Sequence, residues 1–471
     1  MPKSRLSSLL GAAALSLSLV APLLPGCQRG KAPPDAPAEQ PRAGGDAVGL
    51  PAFDVSDPAA PEGRADVPHE RFFVEVGDAP TRGPADAPVT IVAFYDFECA
   101  YCERGHQTIQ AIEELYAGKV RVAYKAFPLD FHSQALATAL LVRSAHAQGK
   151  FWPLHDFLFA QEKIDLRRRD DYARAVGLDA ARLTQDVESL RFAGSVARDM
   201  REGHRVGVRG TPAYFINGRA LSGARPLGEL RAVVDEELAL AEQWRGQGVA
   251  AGSVYAHALA GAFRSVQYSQ RKGPRPDLLY PVPIGASPQR GDPLAPVTVV
   301  AFTDFECPYC ARGNETLEAV RRRFGAELRV VFKHLPLPFH AQAFPAARAA
   351  MAAGEQGKFW EMHDLLFAAK SLDEASLMAM ARELKLDVRR FKAAMESARF
   401  DEAIAGDLEL ARTIGLRGTP AYFVNGRPIG GAVGELEMSI VVQAELERAK
   451  ARLAAGAARE GLYEALISSE E

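Results

Sequence analysis

The feature that most constrains this chain is that it repeats itself. Its two C-x-x-C pairs, Cys99/Cys102 and Cys307/Cys310, lie 208 residues apart, and the same offset relates Gly77 to Gly285, His132 to His340, Trp152 to Trp360 and Pro212 to Pro420. No insertion or deletion is needed from Gly77 to Ala224; a two-residue slip follows, after which Tyr255 again matches Tyr463. Two copies of one pattern fold as two copies of one unit, so the repeat outranks length as a guide to domains. Length alone, 471 residues at about 150 per domain, suggests roughly three. The repeat reduces this to two domains, 70–262 and 278–468, joined by a linker at 263–277 that is polar and basic between Gln267 and Arg275.

What precedes the repeat is of a different kind. Lys3 and Arg5 open a short basic segment and Leu9 to Leu24 an apolar one, too short and too poorly flanked for a spanning helix, so residues 1–27 read as a secretory signal. The segment ends Leu24-Pro25-Gly26-Cys27, which resembles a bacterial lipobox and marks Cys27 as the lipidated first residue of the mature chain. The plainer alternative is a cleaved signal with an incidental cysteine. Residues 28–69 are rich in Pro, Ala and Gly and short of large apolar side chains, so they read as a disordered tether.

Each copy has an α/β pattern. Val89 to Phe94 and Val297 to Phe302 are short β-branched runs suited to buried strands, each followed within a few residues by the C-x-x-C and then by a helical pattern. Ile109, Ile112 and Leu115 mark the core face of that helix in copy 1, and Leu317, Val320 and Phe324 in copy 2. Second strands follow at Val120–Ala126 and Leu328–His334, an order that favours parallel pairing through a crossover. About eighty residues of helical pattern separate these from Ala213–Ile216 and Ala421–Val424, which run into Asn217-Gly218 and Asn425-Gly426, a strong hairpin signal. A last helix, Leu227–Trp244 or Glu435–Leu453, closes each copy.

The five cysteines are too few for a disulfide-stapled scaffold, so their placement carries the information. A cysteine at a strand-to-helix junction meets free backbone N–H groups and the positive end of the helix dipole, which lower its pKa and make it a thiolate nucleophile. This assigns Cys99 and Cys307 as nucleophiles, and Cys102 and Cys310, one helical turn on, as the thiols that resolve a mixed disulfide. Two alternatives stand beside this. Zinc ribbons space their pairs by about 15–20 residues, not two hundred, so no metal is expected at the cysteines. A purely structural C-x-x-C bridge closes too small a loop to stabilise much.

Here the chain resembles the DsbA-like thiol–disulfide oxidoreductases of the thioredoxin superfamily. The matching segments are FYDFECAYC (94–102) and FTDFECPYC (302–310), PL-x-FH ending at His132 and His340, GKFW at 149–152 and 357–360, RGTPAYFING (209–218) and RGTPAYFVNG (417–426). The resemblance implies two thioredoxin folds, each with an inserted helical subdomain, and redox-active disulfides Cys99–Cys102 and Cys307–Cys310 as the only cofactor. It implies cis peptide bonds before Pro212 and Pro420, with Thr211-Pro212 and Thr419-Pro420 pairing with an extended substrate; Tyr101 and Tyr309 are further substrate-contact candidates, or simply cover the disulfides. Ala93 and Ala301 stand where many thioredoxins carry a buried acid, leaving Glu98, Glu306, Lys125 and Lys333 as substitutes. His132 and His340 read as packing at the start of the insertion in preference to catalysis, and His155 and His363 as core or surface histidines. Ala100 in place of Pro308 predicts unequal reduction potentials at the two sites.

The functional expectation is an envelope oxidoreductase that exchanges disulfides with exported proteins, is recycled by an unidentified redox partner and is held to a membrane through Cys27. Gln28 after that cysteine favours the outer membrane, by analogy with enteric lipoproteins. A net charge of −3, with no basic stripe, argues against nucleic acid as a partner. The competing reading is a non-catalytic peptide-binding or holdase module; the thiol pair and Thr-Pro retained in both copies weigh against it.

Overall fold

The computed structural model describes residues 69–266 and 273–468. The leader, Cys27, nearly all of the tether and the middle of the linker therefore lie outside the described residues. Copy 1 runs β1 (Thr81–Arg82), β2 (Val89–Tyr95), α1 (Ala100–Leu115), β3 (Val120–Ala126), five helices α2 (Ala135–Ala147), α3 (Phe151–Phe159), α4 (Arg169–Val176), α5 (Ala180–Glu188) and α6 (Ala193–Arg205), then β4 (Ala213–Ile216), β5 (Arg219–Ser222), α7 (Leu227–Gly246) and α8 (Val254–Ala258). Copy 2 repeats this as β6 (Gln289–Arg290), β7 (Val297–Thr303), α9 (Pro308–Phe324), β8 (Leu328–His334), α10 (Ala343–Gly354), α11 (Phe359–Ala368), α12 (Glu374–Glu383), α13 (Val388–Glu396), α14 (Asp401–Thr413), β9 (Ala421–Val424), β10 (Arg427–Gly430), α15 (Glu435–Ala454) and α16 (Leu462–Ser468).

Each sheet has the order β1-β3-β2-β4-β5 or its equivalent β6-β8-β7-β9-β10. Strands β2 and β3 are parallel, as a strand–helix–strand crossover requires, and β4 returns antiparallel to β2. Every residue of β2 is buried because the sheet is covered on both faces. Side chains alternate accordingly: Ile91, Ala93 and Tyr95 pack with Ile109 and Ile112 of α1, while Val92 and Phe94 pack with Phe127, Val206 and Val208 on the other face. Leu115 does not join the core; it is exposed. Steps of three residues drift about 60° backwards around a helix, so the third member of the series has left the face that Ile109 began.

The Asn-Gly hairpins form as expected. Asn217 and Gly218 have φ of 45° and 89°, and Asn425 and Gly426 of 43° and 84°, the left-handed pair that a two-residue turn needs. Asn217 is also fully buried: its side chain accepts from the Thr90 N–H and donates to the Pro88 carbonyl, clipping the hairpin to the start of β2.

The backbone of copy 1 holds its chain as far as Val266, whose N–H donates to the Arg205 carbonyl. The two copies also touch. Helix α15 of copy 2 lies against α6 and α2 of copy 1, and Ile440 and Ala444 are buried in copy 1's own core. A cavity of about 540 Å³ opens along this seam, bordered by Leu129, Phe131 and Arg209 from copy 1 and by Ile429, Glu437 and Val441 from copy 2. Burial, with Asp130 facing it, pushes the Glu437 carboxyl up to about 7.

Candidate active sites

Strand β2 delivers the chain to Cys99, which is the N-cap residue of α1, with extended φ and ψ of −80° and 115°. This position puts its buried sulfur beside the free N–H groups of the first turn. Its carbonyl accepts from the Cys102 N–H, which places the two cysteines one turn apart. Cys307 takes the same place before α9, and there Pro308 occupies the first helical position. All four cysteines are free thiols in this structure.

The members of a pair differ in environment. Cys102 and Cys310 are completely buried. A hydrogen bond from the Cys102 thiol pulls the Cys99 thiol down to about 5; Thr211 and the N–H groups of Cys102 and Tyr101 add to this, against the opposing effect of burial. Burial, then the bond to Cys99, pushes Cys102 well above the ordinary thiol range, and burial likewise raises Cys310. Copy 1 thus holds a stabilised thiolate beside a protonated neighbour, the division of labour that thiol–disulfide exchange requires.

The Thr211–Pro212 and Thr419–Pro420 peptide bonds are both cis. The Cys99 thiol donates to the Thr211 carbonyl at 3.3 Å, and the Cys307 thiol to that of Thr419 at 3.7 Å. Tyr101 and Tyr309 stand exposed beside the cysteines, with Arg104 and Arg312 stacked over their rings at 4.5 and 4.7 Å. The residues proposed from sequence for each site are therefore gathered in one place, twice.

Sequence reasoning missed three further pairs. Asp96 and Asp304, the buried acids three residues before each nucleophile, organise the loop: Asp96 accepts from the Glu98 and Leu129 N–H groups, each at 2.8 Å, and lies 2.7 Å from His132 Nδ1. Asp304 repeats this with Glu306, Leu337 and His340 at the same distances. His132 and His340 are thus tied to the active-site loop. Glu98 and Glu306 accept the N–H of Gln134 and Gln342 at the start of the insertion. Lys125 pairs with Glu202 and Asp199, and Lys333 with Asp407.

Phe131 and Phe339 are the second pair, 79% and 75% exposed on the loop beside each histidine. Gly105 and Gly313 are the third. A Cβ on Gly105 would lie 2.2 Å from the Tyr214 hydroxyl and 2.9 Å from Pro212 Cγ, so only glycine lets the cysteine helix approach the cis-proline strand. The repeat carries the signal for all three, since each recurs at the common offset, but shared residues alone do not say which touch.

A dithiol at a helix N-terminus, facing a cis-proline carbonyl on a sheet of this order, defines a thioredoxin-fold dithiol protein. The chain belongs to the thioredoxin family: the family model described as Thioredoxin matches residues 75–236 and again 285–444. Among curated relatives it is 42% identical over 168 residues to a Na(+)/H(+) antiporter NhaA 1 of Salinispora arenicola, and 38% identical over 156 residues to the NhaA antiporter of Herminiimonas arsenicoxydans. These matches cover 35% and 33% of this chain but only 26% and 25% of those proteins. Among the described residues here, no helix is long and apolar enough to cross a membrane. Similar solved structures include a thioredoxin-like oxidoreductase from Silicibacter pomeroyi (30% identity, 36% of this chain and 94% of that one, TM-score 0.32) and oxidised BdbD from Bacillus subtilis (22%, 36% and 98%, 0.34). The catalytic domain of Proteus mirabilis ScsC is a third (29%, 34% and 90%, 0.31).

Proposed function

We propose that this protein is a cell-envelope thiol–disulfide oxidoreductase with two active sites that act on exported proteins. The observation that carries the reading is the Cys99–Cys102 pair: a thiolate stabilised to about 5 at a helix N-terminus, beside a fully buried protonated thiol. The Cys99 thiolate attacks one sulfur of a client disulfide; a mixed disulfide forms and the client's other sulfur leaves as a thiolate. Cys102 then loses its proton and attacks Cys99 Sγ, releasing the second client thiolate and closing the Cys99–Cys102 disulfide. Two electrons pass to the client, and the reverse sequence oxidises it. Cys307 and Cys310 perform the same steps in copy 2.

The exchange needs no cofactor beyond the cysteine pairs. Thr211-Pro212 and Thr419-Pro420 offer their backbone to an extended client, while Tyr101, Tyr309, Phe131 and Phe339 give it exposed aromatic surface beside each nucleophile. The potential of each site relative to its client and to the redox partner that recycles it sets the direction. In this reading a lipid on Cys27 anchors the chain, 28–69 spans the gap, and both sites face the periplasm from the outer membrane, a compartment where disulfides persist.

The test is to change Cys102 and Cys310 to Ala, which removes the resolving thiols. Mixed disulfides with exported proteins are then expected on a non-reducing gel. A gel with no adducts overturns the reading.

A further inference from the structure

Beyond Cys102 on α1, three ligand-bearing side chains converge in copy 1. His106 lies one turn beyond Cys102 on α1, and His155 and Asp156 come from α3 of the inserted helices. His106 Nε2 is 3.9 Å from Asp156 Oδ1, and His155 Nδ1 is 2.8 Å from the same oxygen. One donor atom from each residue lies within 4.8 Å of the other two. Ligands about 2.0–2.2 Å from a tetrahedral metal sit roughly 3.3–3.5 Å apart, a spacing that the two measured separations bracket.

The surroundings suit a cation. Both histidines are buried, and His155 turns Nδ1 to Asp156 while its other ring nitrogen, Nε2, is buried with no hydrogen-bond partner among the described residues. Arg82 holds Asp156 Oδ2 at 2.9 Å, which fixes the carboxylate and leaves Oδ1 turned to the histidines. Glu113 holds Arg82 in turn, at 2.6 Å, so two carboxylates face one guanidinium and the cluster carries a net negative charge. The Asp156 side chain is 38% exposed, which gives an ion a way in and leaves water a fourth position.

Copy 2 supplies the control. His363 and Asp364 keep the 2.8 Å contact, and Arg290 keeps its bonds to Asp364 and Glu318, but Asn314 stands where copy 1 has His106. No cluster of three metal-ligating side chains forms there among the described residues.

We propose that His106, His155 and Asp156 form a site for a divalent transition ion of the zinc class, present in copy 1 alone, which ties the cysteine helix to the inserted helices. Imidazole and carboxylate donors in this number suit zinc, and cobalt reports on the same geometry by its absorption. This site is independent of the redox reading and uses none of the active-site thiols.

The test uses the full chain with all five cysteines changed to Ala, so that no thiol binds metal, titrated with Zn²⁺ by calorimetry and with Co²⁺ by absorption. One ion per chain is expected, with affinity falling at least about 100-fold on His106→Asn, the residue copy 2 already carries at that position. A cysteine-free chain that binds no zinc, or binds it equally well with His106→Asn, overturns the proposal. Should His106→Asn fail to fold, Asn314→His decides: a stoichiometry that rises from one to two supports the site, and one that stays unchanged overturns it.

Discussion

The two copies share a backbone, and three of their differences bear on the sites and on the seam. The Asn-Gly clip and the Asp–His pair recur at matching distances, and the strand registers coincide after the offset is removed. What differs is the residue after the nucleophile (Ala100 against Pro308), the polar wall behind the helix (His106 against Asn314), and the outer face of the last helix. On that face copy 2 carries Ile440 and Ala444, both buried against copy 1, where copy 1 carries Ala232, which is exposed, and Glu236, which pairs with Arg219. The association is therefore head-to-tail, with one copy's closing helix completing the other's core. The dithiol geometry recurs in both copies, while their surfaces diverge.

The largest effect expected is on turnover. Cys99→Ala removes the exchange activity of copy 1 and Cys307→Ala that of copy 2, so the ratio of the two single-variant rates measures how far the sites differ. The double variant reduces a disulfide substrate no faster than buffer; any residual rate places chemistry outside these cysteines. Next comes the seam. Ile440→Ala is expected to cost about 2–5 kcal/mol, as for a buried core residue. Ala232→Ile on the equivalent exposed face changes stability by no more than about 0.5 kcal/mol. Denaturant unfolding of both variants checks this, and equal effects would mean the copies do not share a core.

A finer contrast lies at the glycines. Overpacking costs typically about 1–3 kcal/mol, and Gly105→Ala is expected in that range because its Cβ meets a Tyr214 hydroxyl already bonded to Tyr95 at 3.3 Å. Gly313→Ala meets the Tyr422 hydroxyl at the same 2.2 Å, but that hydroxyl has no partner to lose and yields more easily. The copy 1 variant should melt lower than the copy 2 variant; the reverse order breaks the account.

Titration follows. Folding lowers the Cys99 pKa from the ordinary thiol value of about 8.5 to about 5, so its thiolate stabilises the reduced native state. The sign is that of an acid with a depressed pKa: the contribution is complete above about 8.5 and is lost as pH falls through about 5. Alkylation of Cys99, in a chain with Cys307 and Cys310 changed to Ala, should be half-maximal near pH 5. A midpoint near pH 8 removes the stabilised thiolate.

Much of this was legible in the sequence, for identifiable reasons. Strands, crossover and hairpins follow from β-branched runs and Asn-Gly, which act locally, and the cysteine roles follow from one helix N-terminus. Asp96 was harder, because its partners Leu129 and His132 come from beyond β3, and no local pattern says that a carboxylate will cap a distant loop. Gly105 gave no warning either: its meaning is a contact with Tyr214, more than a hundred residues away. The seam was least legible of all, since Ile440 on an amphipathic helix reads as core of its own copy.

The smallest effect expected is that of residue 100, and it decides what the difference between the sites rests on. The N–H groups that bear on the Cys99 sulfur are those of Tyr101 and Cys102, not that of Ala100. Ala100→Pro therefore removes no donor from the thiolate; it pre-sets a helical φ at the first helical position, where proline is tolerated. Such a change stabilises by about 0.4–1 kcal/mol through the unfolded chain, and oxidised and reduced states share that gain, so the potential of site 1 should barely move. The potentials of the two sites are nonetheless expected to differ, because the Cys99 thiol approaches the Thr211 carbonyl more closely, 3.3 Å against 3.7 Å in copy 2. Equilibration of each site in glutathione buffers, with the other pair changed to Ala, measures both quantities. Equal potentials would dissolve the distinction between the copies. A pair of swaps, Ala100→Pro with Pro308→Ala, that exchanged the two values would locate it in the dipeptide between the cysteines and not in the contact with the cis-proline loop.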